Sequence, residues 1–159
     1  MSVADHPHTA TYPSDPTTAR TVALAVARRA KVLWLHRPGG PPRAAWYVWH
    51  EGQAWLVGRR PETPSGAPAG PAADELTLEQ QLPELVDGGQ IWVSWRAKDT
   101  GALAVRLPGM AHQVHPEDPE WIGGTAVLAN ARLNAADPRR LPGVWADHAQ
   151  VWRVALTEG

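Results

Sequence analysis

The sequence predicts a mainly β fold: a six-stranded, mostly antiparallel barrel with flanking helices. Three observations carry that expectation. Residues 44–60, AAWYVWHEGQAWLVGRR, read as a β-hairpin, two β-rich runs around Glu51-Gly52, a pair close to the Asp-Gly and Asn-Gly turns of tight hairpins. Hairpin-like pairs dominate the order of elements, which favours an antiparallel sheet. Closure into a barrel is the usual way for a sheet of this many strands to lose its exposed edges.

In the hairpin's expected register, Trp46 stands opposite Val57 and Val48 opposite Trp55 on one face. Tyr47 stands opposite Leu56 and Trp49 opposite Ala54 on the other. Both faces are apolar and aromatic, whereas a half-exposed antiparallel strand alternates apolar with polar. Something therefore covers each side. One cover is the domain's own core. The other is a helix, a second subunit or a flat ligand, and function turns on which.

Residues 1–14 are polar and proline-containing and read as a disordered tail ahead of a single domain over 15–159. Asp15-Pro16 is a helix start, with Asp as N-cap and Pro at the first helical position. An alanine-rich helix over 16–30 follows, with Arg28, Arg29 and Lys31 at its negative end. Residues 32–37, VLWLHR, read as a strand, and 38–42, PGGPP, as a loop before the hairpin. Residues 61–73, PETPSGAPAGPAA, read as a flexible loop. Thr77 and Gln80 suggest a capping box for one or two helical turns, interrupted by Pro83 and ended by Gly88-Gly89. Residues 90–96, QIWVSWR, form a strand with Ile91, Val93 and Trp95 on one face and Trp92, Ser94 and Arg96 on the other. A turn at 98–101 leads into an extended run reaching Val114. Asp118-Pro119-Glu120 starts a helix over 119–133, weakened early by Gly123-Gly124. Residues 139–147 read as loops with one short turn, and 149–156, AQVWRVAL, as the final strand.

The 159 residues suit one domain, and a hydrophobic content of 43% supports a core. The net charge of −1 and the absence of a basic stripe argue against nucleic acid. With no cysteine there are no disulfides, zinc–thiolate sites or thiol catalysis. No apolar run approaches a membrane span and the N-terminus has no apolar signal region, so a cytoplasmic protein is expected. Phe is absent while Trp numbers nine; one reading is that Trp fills core positions that Phe holds elsewhere, the other that a few line a site for a planar ligand.

The order of a leading helix into KVLWLHR, then RAAWYVWHEGQAWLVGRR, QIWVSWRAKDTGALAVRLPGMAHQV and HPEDPEWIGGTAVLANARLN resembles the pyridoxamine-phosphate-oxidase-like, FMN-binding split β-barrel family, also called the flavin/deazaflavin oxidoreductase superfamily. Trp46-Tyr47-Val48-Trp49 looks like that family's second strand, and RLPGMA before Asp-Pro-Glu like its long fifth strand. The resemblance implies a homodimer with FMN, the deazaflavin F420 or, less often, haem in clefts between subunits, acting on a small-molecule substrate. It places phosphate ligands just after the third strand, where Arg59 and Arg60 stand. Lys98 and Arg96 are second-rank candidates, and Trp46 and Trp49 candidates for the ring's surroundings. Where many members run into a helix, this chain runs into Pro61 and a Pro/Gly-rich loop, so its phosphate pocket is lost or rebuilt.

His112 and His115 fall three apart in an extended run and point to opposite faces, so no metal site is expected. No nucleophile elbow, dinucleotide fingerprint or acid–base carboxylate pair occurs, so catalytic residues cannot be named and the chemistry expected is the cofactor's. The alternatives are a non-catalytic split barrel binding a small planar ligand or haem, and an unrelated Trp-rich binding barrel.

Overall fold

The computed structural model describes residues 16–60, 79–96, 103–132 and 137–157. Its strands are β1 (Val32–His36), β2 (Arg43–Trp46), β3 (Val48–His50), β4 (Gln53–Arg59), β5 (Gly89–Arg96), β6 (Leu103–Val114) and β7 (Ala149–Leu156). Among the described residues three α-helices flank them: α1 (Pro16–Ala27), α2 (Trp121–Ala131) and α3 (Leu141–His148), the last preceded by a 3-10 turn, Pro138–Arg140. The sheet order is β2-β1-β5-β6-β7-β4-β3, with every recorded pairing antiparallel. β2 and β3 lie at opposite ends of that order, yet only Tyr47 separates them in the chain. They are halves of one run that crosses the seam, so the barrel is nearly closed. The six strands expected become seven because this run is broken.

The break has identifiable causes. The hairpin turn is as expected: Glu51 and Gly52 both have positive φ, 51° and 77°, as a two-residue type I′ turn requires. The register also holds at Val48↔Trp55 and Trp49↔Ala54. Beyond Val48 the ladder stops. The Gln80 carboxamide enters where the 46–57 rung would lie: its oxygen accepts from Trp46 N–H at 2.9 Å, and its NH₂ group lies within donating distance of the Trp46 and Val57 carbonyls at 3.0 and 3.1 Å. Trp46 accordingly pairs with Val32 of β1, not with Val57. Tyr47 turns its N–H to the Lys31 carbonyl and its ring into the barrel.

The inner face of the hairpin, Tyr47, Ala54 and Leu56, joins Leu33, Leu35, Val93, Trp95 and Val105 in the barrel core. The outer face, Trp55 and Val57, packs in a second cluster with Leu128 of α2 and Leu141 and Trp145 of α3. The second cover is therefore helical and belongs to this chain. Gly123-Gly124 serves that contact: a Cβ at Gly124 would lie 2.2 Å from the Trp55 ring. The helix tolerates the low propensity of glycine because the indole occupies the space.

Four element boundaries differ from expectation. α1 ends at Ala27 rather than 30, because Arg29 N–H bonds to Val26 in a tightened last turn that releases the chain into β1. Residues 79–86 are not helical, since Gln80 spends its side chain on the barrel rather than on a cap. The second helix runs from Trp121 but ends at Ala131 rather than 133, where Arg132 turns extended and its N–H donates to the Ala129 carbonyl. Residues 141–148, read as loop, form α3 after the N-cap Asp137, whose side chain accepts from Arg139 N–H. The tail at 1–14, Asp15, the loop at 61–73, Thr77 and the turn at 98–101 lie outside the described residues. No described helix is long and apolar enough to cross a membrane.

Candidate functional site: an arginine-lined cleft

β1 and β2 pair with Leu35 opposite Arg43, so the loop between them brings Arg37 and Arg43 to the same end of the ladder. β4 ends at Arg59, whose N–H donates to the Gln80 carbonyl at 2.9 Å. The three arginines line one open cleft of about 450 Å³, with Gln81, Glu84 and Gln150. Residues 80–82 can lie this close to β4 because Gly58 has no side chain, and a Cβ there would meet the Leu82 side chain at 2.7 Å. Glu84 Oε2 stands 3.6 Å from Arg37 Nη1. No ion pair is recorded for Arg43 or Arg59 among the described residues. Guanidinium groups on a shared concave surface suit a phosphate, since each offers a planar fork of donors.

Of the sequence-predicted residues, Arg59 lies in this cleft. Its neighbour Arg60 does not: its Nε and Nη2 reach the carbonyls of Ala149 and Ala146, so it caps the end of α3. Trp46 is half-buried on the outward face beside the helices, and Trp49 is half-buried against the barrel core. Lys98 lies outside the described residues. Arg96 belongs to a separate group on the outer face of β1, β5 and β6.

That group is built by cross-strand register. Trp34 pairs with Ser94 and Ser94 with Arg106, while His36 pairs with Trp92 and Trp92 with Pro108. The Arg96 guanidinium lies 4.4 Å from the Trp34 ring centre and that of Arg106 lies 4.9 Å from Trp92. His36 Nε2 and Ser94 Oγ are 2.6 Å apart. Burial, then the positive charges of Arg106 and Arg96, hold the His36 imidazole below its ordinary pKa and favour the neutral ring. Two strand positions in either direction around the barrel separate β4 from β5, and the arginine cleft does not include Arg96.

Arg37 and Arg43 were not singled out from the sequence, and Gln80 was read only as half of a capping box with Thr77. Arg37 and Arg43 flank PGGPP, and a hairpin register across that loop would have brought them together. The role of Gln80 has no local signal, because its partners lie 23 and 34 residues away.

No family model matches this sequence, and no curated protein does. Solved structures do resemble it. HutZ, a haem storage protein from Vibrio cholerae, is 11% identical with a TM-score of 0.49, over 89% of this chain and 92% of that one. A conserved hypothetical protein from Mycobacterium tuberculosis is 17% identical with a TM-score of 0.47, over 97% and 86%. A protein from Clostridium acetobutylicum, related to general stress protein 26 and of the pyridoxinephosphate oxidase family, is 11% identical with a TM-score of 0.44, over 89% and 85%. The topology described above is the one the sequence resemblance implied. Its described residues form a nearly closed antiparallel barrel with flanking helices. These likenesses concern fold alone. Among the described residues no group of three His, Cys, Asp or Glu is placed to hold a metal.

Proposed function

We propose that this chain binds a phosphate-bearing planar cofactor of the flavin or deazaflavin type, FMN or F420, with the phosphate in the Arg37–Arg43–Arg59 cleft. The presence of three arginines in the lining of one open cleft is the observation that supports this reading. On this reading the phosphate pocket, expected from the sequence to be lost or rebuilt, is rebuilt. The chain's part is to bind and orient; hydride or electron transfer would be supplied by the cofactor when bound.

The reading includes a homodimer. The hairpin is a poor partner surface, because α2 and α3 cover its outer face. The outer face of β1, β5 and β6 is proposed instead, where Val32, Trp92 and Met110 are exposed large apolar residues. Sedimentation of the purified protein at micromolar concentration is expected to give a dimer; a monomer with and without cofactor contradicts it.

Titration of the purified protein with FMN, F420 and haem, followed by absorbance, tests the cofactor. Saturable FMN or F420 binding is expected. Arg59→Ala should weaken it about ten- to a hundredfold, the worth of one charge-assisted phosphate contact. Arg60→Ala should leave the affinity unchanged, since that guanidinium serves the end of α3. A Soret band with no flavin binding would replace this reading with haem.

A further inference from the structure

The arginine cleft carries its own anion. Glu84 stands on the extended segment 79–86, which forms one wall of the cleft. Both ends of that segment are fastened. Upstream, buried Glu79 holds Arg132 and the Trp145 indole N–H, and Gln80 is locked between β2 and β4. Downstream, Gly88 N–H donates to the Ala111 carbonyl at 2.7 Å, and Asp87 Oδ1 accepts from Gln113 N–H. The Glu84 side chain is 72% exposed, and its recorded pairing among the described residues is with Arg37.

A short tether fixed at both ends keeps the carboxylate beside Arg37 at high effective concentration. We propose that Glu84 is a built-in competitor: it occupies Arg37 in the empty cleft and is displaced by the phosphate of the incoming ligand. This rests on the reading of the cleft as a phosphate site. The physical consequence is a threshold. An incoming anion that offers Arg37 one charge exchanges like for like and gains little there. A ligand gains only through what it adds at Arg43, Arg59 and the rest of the cleft. The competitor is weak by design of its position, because an exposed ion pair is worth little in water.

Glu84→Gln removes the charge and keeps the shape at an exposed site, so folding should be unaffected. Calorimetric titration of the parent and this variant with FMN, riboflavin and inorganic phosphate reads the effect. The variant should bind FMN and inorganic phosphate about two- to fivefold more tightly at low salt, the range of an exposed ion pair. Riboflavin, which lacks the phosphate, should bind both proteins equally. The gain should fade at about 0.5 M salt, where screening removes exposed-pair interactions. Unchanged or weaker FMN binding in Glu84→Gln, or an equal change with riboflavin, overturns the proposal. Arg43→Ala with Arg59→Ala separates the two levels of inference. If that pair leaves FMN affinity unchanged, the cleft reading itself fails. If the pair weakens FMN while Glu84→Gln changes nothing, the competitor alone fails.

Discussion

At Gly124 a single missing Cβ decides how close α2 lies to the sheet. A methyl group there would meet the Trp55 ring at 2.2 Å, whereas at Gly123 the nearest heavy atom is His50 Nε2 at 3.7 Å. Gly124→Ala should therefore destabilise the fold by about 1–3 kcal/mol or more through overpacking. Gly123→Ala should be neutral or stabilise it by up to about 1 kcal/mol through helix propensity. Urea denaturation of the two variants checks both signs. Tyr47 is the other residue on which much depends. Its hydroxyl donates to the Ala27 carbonyl at 2.7 Å and accepts from the Trp95 indole at 3.0 Å. Burial pushes its pKa up from 10.0 to about 12. The unfolded chain then loses this proton before the folded chain does. The stability it contributes is full below pH 10.0 and is lost as pH rises toward about 12. Urea melts across that window should show this fall in the parent and lack it in Tyr47→Phe, which should be weaker at every lower pH. From sequence, both glycines read only as helix weakening and Tyr47 only as one more aromatic. Contacts with Trp55 and Trp95 are long-range, so local pattern carried no sign of them.

At the scale of elements, the segment 79–86 binds the barrel to its helices. Glu79 is buried against Arg132 of the α2 C-cap and the Trp145 indole of α3, with Oε1 lacking a hydrogen-bond partner. Removing one partner strands a buried charge, so Glu79→Ala should cost about 3–5 kcal/mol. The paired change Glu79→Met with Arg132→Leu should recover part of that loss, because no charge is then stranded, while the buried Trp145 indole N–H still loses its acceptor at about 1–3 kcal/mol. Thermal melts of the three proteins test the relation; a double variant as weak as the single one would show that the segment needs the ion pair itself. The strands were legible because period-two apolar runs and the Glu51-Gly52 turn are local signals. The helix at 141–148 was read as loop, although Asp137-Pro138, the same type of start that Asp15-Pro16 gives, opens the 3-10 turn ahead of it. It was hidden by its shortness and by Pro142 and Gly143 within it. The expected turn of helix after Thr77 failed for a different reason. Gln80 has the residue type of a capping box, but tertiary hydrogen bonds at 2.9–3.1 Å claimed its amide.

For the whole molecule, barrel closure follows from one run crossing the seam at Tyr47, with Gln80 filling the gap that crossing leaves. The same closure gathers Arg37, Arg43 and Arg59, which come from three different strand ends. Of the three, only Arg59 was a candidate from the resemblance, through its place after the third strand; the meeting of Arg37 and Arg43 with it depends on the β1–β2 register and on barrel closure. The sequence also set helix, subunit and ligand side by side as covers for the hairpin, and packing chose the helix. The central claim is that the cleft recognises a phosphate on a planar ligand. The most direct measurement is the ratio of riboflavin to FMN dissociation constants, in the parent and in the Arg43→Ala/Arg59→Ala variant. The account predicts that the parent prefers FMN by at least about tenfold and that the variant loses most of that preference, since charge-assisted phosphate contacts set it. A parent that binds the two ligands equally, or a folded variant that keeps the parent's full preference, would contradict it.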